Sequence, residues 1–152
     1  MESSGTPDDF LAGFDALAQA VRRARGGNGG APNGGLSLSQ YGLLEVLADK
    51  QTARVQELAA HAGITASTAT RILDALERRE IVQRTRSDED RRAVAVTLTY
   101  RGRELLSAEQ EWLRGRQRAF YASLPSSEQQ LAPDLLFRLA ALIDDLAAGP
   151  ES

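Results

Sequence analysis

The chain has 152 residues, 42 % of them apolar and 26 % charged, with a formal net charge of −3; this suits a soluble globular protein of one domain, or of two small lobes sharing a core. It holds no cysteine and a single histidine, His61, which excludes disulfides, thiolate catalysis and thiol redox sensing and argues against a histidine metal cage, so no metal or cofactor is expected. No apolar run approaches the ~18–20 residues of a membrane span, and MESSGTPDDF lacks the basic and apolar regions of a signal peptide; the expected location is cytoplasmic.

The first helix is predicted from about Asp8 to Arg25. Phe10, Leu11, Phe14, Leu17, Ala18 and Val21 recur along one stripe, with Asp8 and Asp9 at the N-terminal end and Arg22, Arg23 and Arg25 at the other. GGNGGAPNGG, residues 26–35, has almost no side chains to bury and reads as a flexible loop. A second helix begins at Leu38-Ser39, with Ser39 as its expected N-cap and Leu38 and Leu43 as a hydrophobic staple. It carries Tyr41, Leu43, Leu44, Val46 and Leu47 and ends near Asp49.

Residues 55–80 predict two short helices. Val55, Leu58, Ala59 and Ala62 make the first amphipathic, and Gly63 is a left-handed stop. Thr65 caps the next, whose buried face is Ala69, Ile72, Leu73 and Leu76. Two short helices joined by a tight glycine turn form a helix-turn-helix. From Ile81 to Leu98 the period becomes two: IVQRTR and AVAVTL flank the tip SDEDR, the pattern of a β-hairpin. Together these segments predict a winged helix. Thr99 caps a long helix reaching about Ser123, with Leu105, Leu106, Trp112, Leu113, Ala119 and Phe120 on its apolar side; at 1.5 Å per residue it is roughly 36 Å long, more than so small a lobe can cover. After Leu124-Pro125, Ser126 or Ser127 caps a last helix bearing Leu131, Leu135, Leu136, Leu139, Leu142, Ile143 and Leu146. Pro133 either kinks it or marks its start.

Charge is uneven. Residues 54–103 hold ten basic and seven acidic groups, whereas the segments on either side are net negative. A basic segment in an acidic chain points to an anionic partner for that segment alone. Seventeen of the eighteen basic residues are arginine, a bias that runs through the whole chain, so arginine at any one place says little by itself.

The order of these elements, with DRR at 90–92 and VTLTYRG at 96–102, closely resembles the MarR family of bacterial winged-helix transcription regulators over roughly residues 8–148. The resemblance implies a mainly α fold with a small β-hairpin wing: a winged helix-turn-helix lobe over 38–99, and a dimerisation region built from helices at 8–25 and 100–148. It implies a homodimer, duplex DNA with a pseudo-palindromic operator as partner, and release by a small, often phenolic, aromatic effector. The sequence departs from the pattern in its long glycine tract and in lacking cysteine, which removes the thiol-oxidation branch.

In such a lobe the helix from Ala66 enters the major groove. Ser67, Thr68 and Thr70 can donate to phosphates or base edges, and Arg71 can reach guanine O6 and N7. Taken alone, that face would read as solvated, with an Asp74–Arg78 pair. In the hairpin, the resemblance implies that Asp90 braces Arg92, which enters a narrow minor groove, while Arg84 and Arg86 hold flanking phosphates. Arg91 points to the other face, and a charge-balanced solvated hairpin is the plain alternative. Tyr41 and Trp112 are candidates to line an effector pocket, although a lone tryptophan on an apolar face is more often core. Two other function classes compete: a winged-helix module that binds protein rather than DNA, which would not need the basic segment, and an enzyme. The chain offers no glycine-rich phosphate loop, metal-spaced cluster or nucleophile beside a histidine for an enzyme.

Overall fold

A computed structural model describes residues 5–26, 34–86 and 93–150. Helix α1 spans Pro7–Gly26. Its start is a reciprocal cap: the Thr6 N–H and hydroxyl both donate to the Asp9 carboxylate, at 2.9 and 2.8 Å, and the Asp9 N–H donates to the Thr6 hydroxyl. The glycine stretch expected as a loop at 26–35 is described only at its ends; 27–33 lie outside the described residues. Helix α2 is Leu38–Leu44 and tightens into a 3-10 turn at Glu45–Ala48. Its N-cap is Ser37 rather than the expected Ser39. Ser37 and Gln40 form a complete capping box, each side chain bonded to the other's backbone N–H. Ser39, inside the first turn, instead donates to the Arg25 carbonyl and ties α2 to the end of α1.

Strand β1, Ala53–Arg54, has only two residues and no sequence period to announce it. Helix α3, Val55–Ala62, ends on Gly63, whose φ of 69° is the left-handed conformation that glycine adopts without steric cost. Helix α4, Ala66–Arg78, is capped by the Thr65 hydroxyl, which accepts from the Thr68 N–H. Both turn-setting expectations, Gly63 and Thr65, are met. Helix α4 closes through a turn in which the Ile81 N–H donates to the Leu76 carbonyl, with Glu80 left-handed at φ 60°.

Strands β2, Val82–Arg86, and β3, Val94–Leu98, pair antiparallel with Arg84 opposite Val96, and β1 adds to the far edge of β3, giving the order β1-β3-β2. Helix α5 is Tyr100–Ser123. Thr99 caps it, accepting from the Gly102 N–H at 3.0 Å, and also latches it to the hairpin: the Thr99 hydroxyl donates to the Glu80 carbonyl at 2.6 Å and the Thr99 N–H to the Ile81 carbonyl at 3.0 Å. Gly102 is needed here. A Cβ at this position would lie 2.0 Å from the Ile81 carbonyl oxygen. The T-x-x-G spacing is therefore a packing joint.

The backbone divides into two compact units, Met1–Gln110 and Glu111–Ser152. The first holds a closed apolar core: Leu36, Leu43, Leu44 and Leu47 from the α2 region, Leu58 from α3, Leu73 and Leu76 from α4, Ile81, Val82 and Val96 from the hairpin, and Leu106 from α5. The second carries α6, Ser126–Ala148, in which no residue is buried. Its N-cap is Pro125, so neither Ser126 nor Ser127 caps it, and Pro133 lies within the helix rather than at its start. Among the described residues, no helix is long and apolar enough to cross a membrane.

Candidate nucleic-acid interface

The strongly amphipathic α4 turns Ala69, Leu73 and Leu76 inward and leaves Ser67, Thr70 and Arg71 exposed, with Thr68 half-buried. Their readiness to bind differs. The Thr70 hydroxyl donates back to the Ala66 carbonyl at 2.9 Å, and the Thr68 hydroxyl accepts from Thr65. Both retain lone pairs, but their protons or orientations are partly committed. Arg71 and, at the end of β2, Arg86 are exposed and make no hydrogen bond or ion pair among the described residues. The structure thus brings Ser67, Thr70 and Arg71 onto one open face of α4.

Arg84 is placed otherwise than expected. Its Nε donates to Glu77 Oε2 and its Nη2 to Asp74 Oδ1, both at 2.5 Å, and the side chain is only 24 % exposed. The Asp74–Arg78 pair anticipated for a solvated helix face is replaced by Asp74–Arg84. Burial pulls the Arg84 pKa down, but hydrogen bonds and charge from Glu77 and Asp74 outweigh it and set the pKa above the ordinary arginine value. Asp90, Arg91 and Arg92 lie outside the described residues.

Two further arginines escaped the sequence reading. Arg79 donates to the carbonyls of Gly34 and Gly35, at 2.6 and 3.0 Å, and so anchors the end of the glycine tract to the end of α4. Part of the local basic excess is therefore structural. Arg54 is exposed at the start of α3 and, with Gln56, Thr70 and Val94, lines a groove of about 340 Å³ between α3, α4 and β3. The only sequence signal for it was its place just before a helix.

A larger groove, about 580 Å³, is bounded by Arg25, Ser39, Glu45, His61, Arg71 and Ile72, among others. Neither Tyr41 nor Trp112 lines it. Tyr41 is half-buried against the core of the first unit, and Trp112, 60 % exposed, belongs to the second. His61 faces Glu45 at 3.2 Å on the surface, and the described residues contain no cluster of three or more histidine, cysteine or carboxylate side chains able to hold a metal.

Residues 36–94 match the MarR family pattern. An uncharacterized HTH-type transcriptional regulator of Bacillus subtilis, YxaD, is 34 % identical over 112 residues, 73 % of this chain and 78 % of the relative. The chain belongs to the MarR family. It is by that membership a DNA-binding transcription regulator and not an enzyme. The fold agrees with solved family structures. Streptococcus pneumoniae FabT in complex with DNA superposes with a TM-score of 0.71 at 20 % identity, covering 91 % of this chain and 96 % of that one. Bordetella bronchiseptica BpsR, described as regulated in DNA binding by 6-hydroxynicotinic acid, gives 0.65 at 22 % identity, with 84 % and 97 % covered.

Proposed function

We propose that this MarR-family chain acts as a homodimeric repressor that binds a pseudo-palindromic duplex operator and is released by a small aromatic, often phenolic, effector. The observation that carries the DNA reading is the open face of α4: Ser67, Thr70 and Arg71 are exposed on the N-terminal half of the second helix of a helix-turn-helix. That half of the helix enters the major groove in this motif. Arg71 is the residue for a bidentate guanine contact. Ser67, Thr68 and Thr70 contact phosphates or base edges, and Arg86 and Arg54 flank them on the backbone. In the wing, Arg92 enters the minor groove, Asp90 orients it, and Arg91 contributes charge.

The homodimer rests on apolar surface that the single chain leaves open. Phe10, Leu11, Leu17 and Val21 on α1, Trp112 and Phe120 on α5, and Leu131, Leu135, Leu142 and Leu146 on α6 are all exposed. Obligate dimer interfaces bury ~2,000 Å² or more of such surface. The effector reading is supported by the small-molecule regulation described for BpsR, and Tyr41 and Trp112 remain the aromatic candidates to meet such a ligand. Where the operator is, the protein must be, which favours the cytoplasm.

Selection of bound duplexes from a random pool tests this reading. Two half-sites in inverted repeat, centred about one helical turn, ~10 bp, apart, are expected. Adding phenolic acids should release the selected duplex. A pool that stays random, with binding confined to protein partners, would favour the protein-interaction module instead.

A further inference from the structure

We infer that Arg84 is a positioning residue that holds the wing at a fixed attitude to the recognition helix, and that it is not a phosphate ligand. The inference rests on the DNA-binding reading but assigns a different role within it.

Helix α4 and strand β2 are joined by the short turn Arg79–Ile81, whose one left-handed residue is Glu80. That turn, the burial of Ile81, Val82 and Val96, and the Thr99 latch hold the base of the hairpin against the core; beyond it Thr85 and Arg86 are exposed. Arg84 supplies a second attachment three residues beyond Ile81, about 10 Å along the strand at ~3.3 Å per residue. There its guanidinium spans two carboxylates one helical turn apart on α4, Asp74 and Glu77, through two different nitrogens at 2.5 Å. With the base held in the core, this strut ties the outer part of β2 to α4.

The same geometry opposes a phosphate role. One positive charge faces two negative ones, so the cluster is net negative, and a phosphate would have to displace charge-assisted hydrogen bonds already made. It also explains acids on a DNA-facing helix. Left uncompensated, Asp74 and Glu77 would repel the backbone; joined to Arg84, they set the spacing between the major-groove contacts of α4 and the contacts of the wing. A surface ion pair by itself adds little stability. Its value here is to order the wing before DNA arrives, so that association does not bear that ordering cost.

The test compares salt dependence and charge rearrangement on the selected duplex. Arg84→Met keeps the aliphatic stem. It should weaken binding about 10-fold, the scale of ordering one or two side chains, and leave the slope of log K against log salt unchanged. A slope smaller by ~0.9, the signature of one lost phosphate contact, would overturn the inference, as would wild-type affinity. Asp74→Asn combined with Glu77→Gln alters only the two carboxylates, with no change of side-chain size. A strut predicts weaker binding although two negative charges are gone; tighter binding means Arg84 had been withheld from phosphate and overturns the inference. Arg84→Glu with Glu77→Arg should recover most of the affinity that Arg84→Glu loses, and no recovery counts against the strut. If the wild-type chain binds no duplex, the DNA reading fails by itself. Hydrogen exchange in the free protein then decides the strut: faster exchange at Thr85 and Arg86 in the Asp74→Asn, Glu77→Gln chain supports it, and unchanged exchange overturns it.

Discussion

Helices α4 and α6 are both amphipathic, yet they end differently. Helix α4 buries Ala69, Leu73 and Leu76 in a closed core. Helix α6, nearly twice as long, buries nothing, with Leu131 and Leu146 more than 60 % exposed. The first packs into the closed core of its unit; the second carries an apolar stripe with no buried residue. A fully buried leucine contributes ~1.5–3 kcal/mol relative to an exposed one, so a stripe this long left in water would be a large liability. The contrast teaches that the winged lobe closes its own core, whereas α6 leaves its apolar stripe open, the surface on which the proposed homodimer rests.

The sharpest way to break that comparison is to charge the stripe. Leu135→Glu with Leu142→Glu should raise the dimer dissociation constant by at least ~10³, since each copy would bury unpaired carboxylates. Sedimentation should then report single chains, and far-UV dichroism should keep the signal of the winged lobe. Loss of the lobe together with the dimer would mean the two regions are not independent. Within the lobe, the largest effect falls on the joint between α5 and the hairpin. Gly102→Ala forces a Cβ against the Ile81 carbonyl oxygen and should cost about 3 kcal/mol in urea denaturation. A cost below ~1 kcal/mol would show that the joint yields.

DNA contact comes next in size. Arg71→Ala should lose ~1–3 kcal/mol of binding and relax preference at one base pair per half-site, and Asp90→Ala should weaken binding if that carboxylate orients Arg92. A uniform loss across sequences would reassign Arg71 to phosphate. A smaller, opposite effect is expected at Glu80, left-handed at φ 60°: Glu80→Gly should stabilise the fold by ~1 kcal/mol, read as a rise in Tm. The smallest effect concerns α1. Bonds from the backbone and then the hydroxyl of Thr6 lower the Asp9 pKa below the ordinary aspartate value. A depressed carboxylate stabilises the folded form above its unfolded pKa, and that contribution disappears as pH falls through the folded value. An NMR titration of Asp9 should therefore show its midpoint below that of an ordinary aspartate and the α1 amides losing protection only as pH falls through that midpoint.

Much of this was legible because local rules decide it. Gly63 and Thr65 mark a stop and a start whatever surrounds them, and the alternation of Val94, Val96 and Leu98 announces a strand. The start of α2 was legible too, but Ser39 was expected as its N-cap: in Ser37-Leu38-Ser39-Gln40 the pair spaced for a capping box is Ser37 with Gln40. Strand β1 has two residues and no period to read. The arginines were the least legible. Arg71, Arg79 and Arg84 are the same letter in the same segment, yet one is open, one grips the Gly34 and Gly35 carbonyls, and one spans two carboxylates. What an arginine does depends on which groups the fold brings within ~3 Å of it, and no spacing along the chain states that.

If the lobe reads DNA and the open stripe joins two copies, two such lobes meet one duplex. Light scattering of the intact chain, alone and with the selected duplex at micromolar concentration, tests it directly. Twice the 16.4 kDa chain mass is expected in free solution and two chains on one duplex; a stable 16.4 kDa species that binds DNA as a single chain would contradict the homodimer.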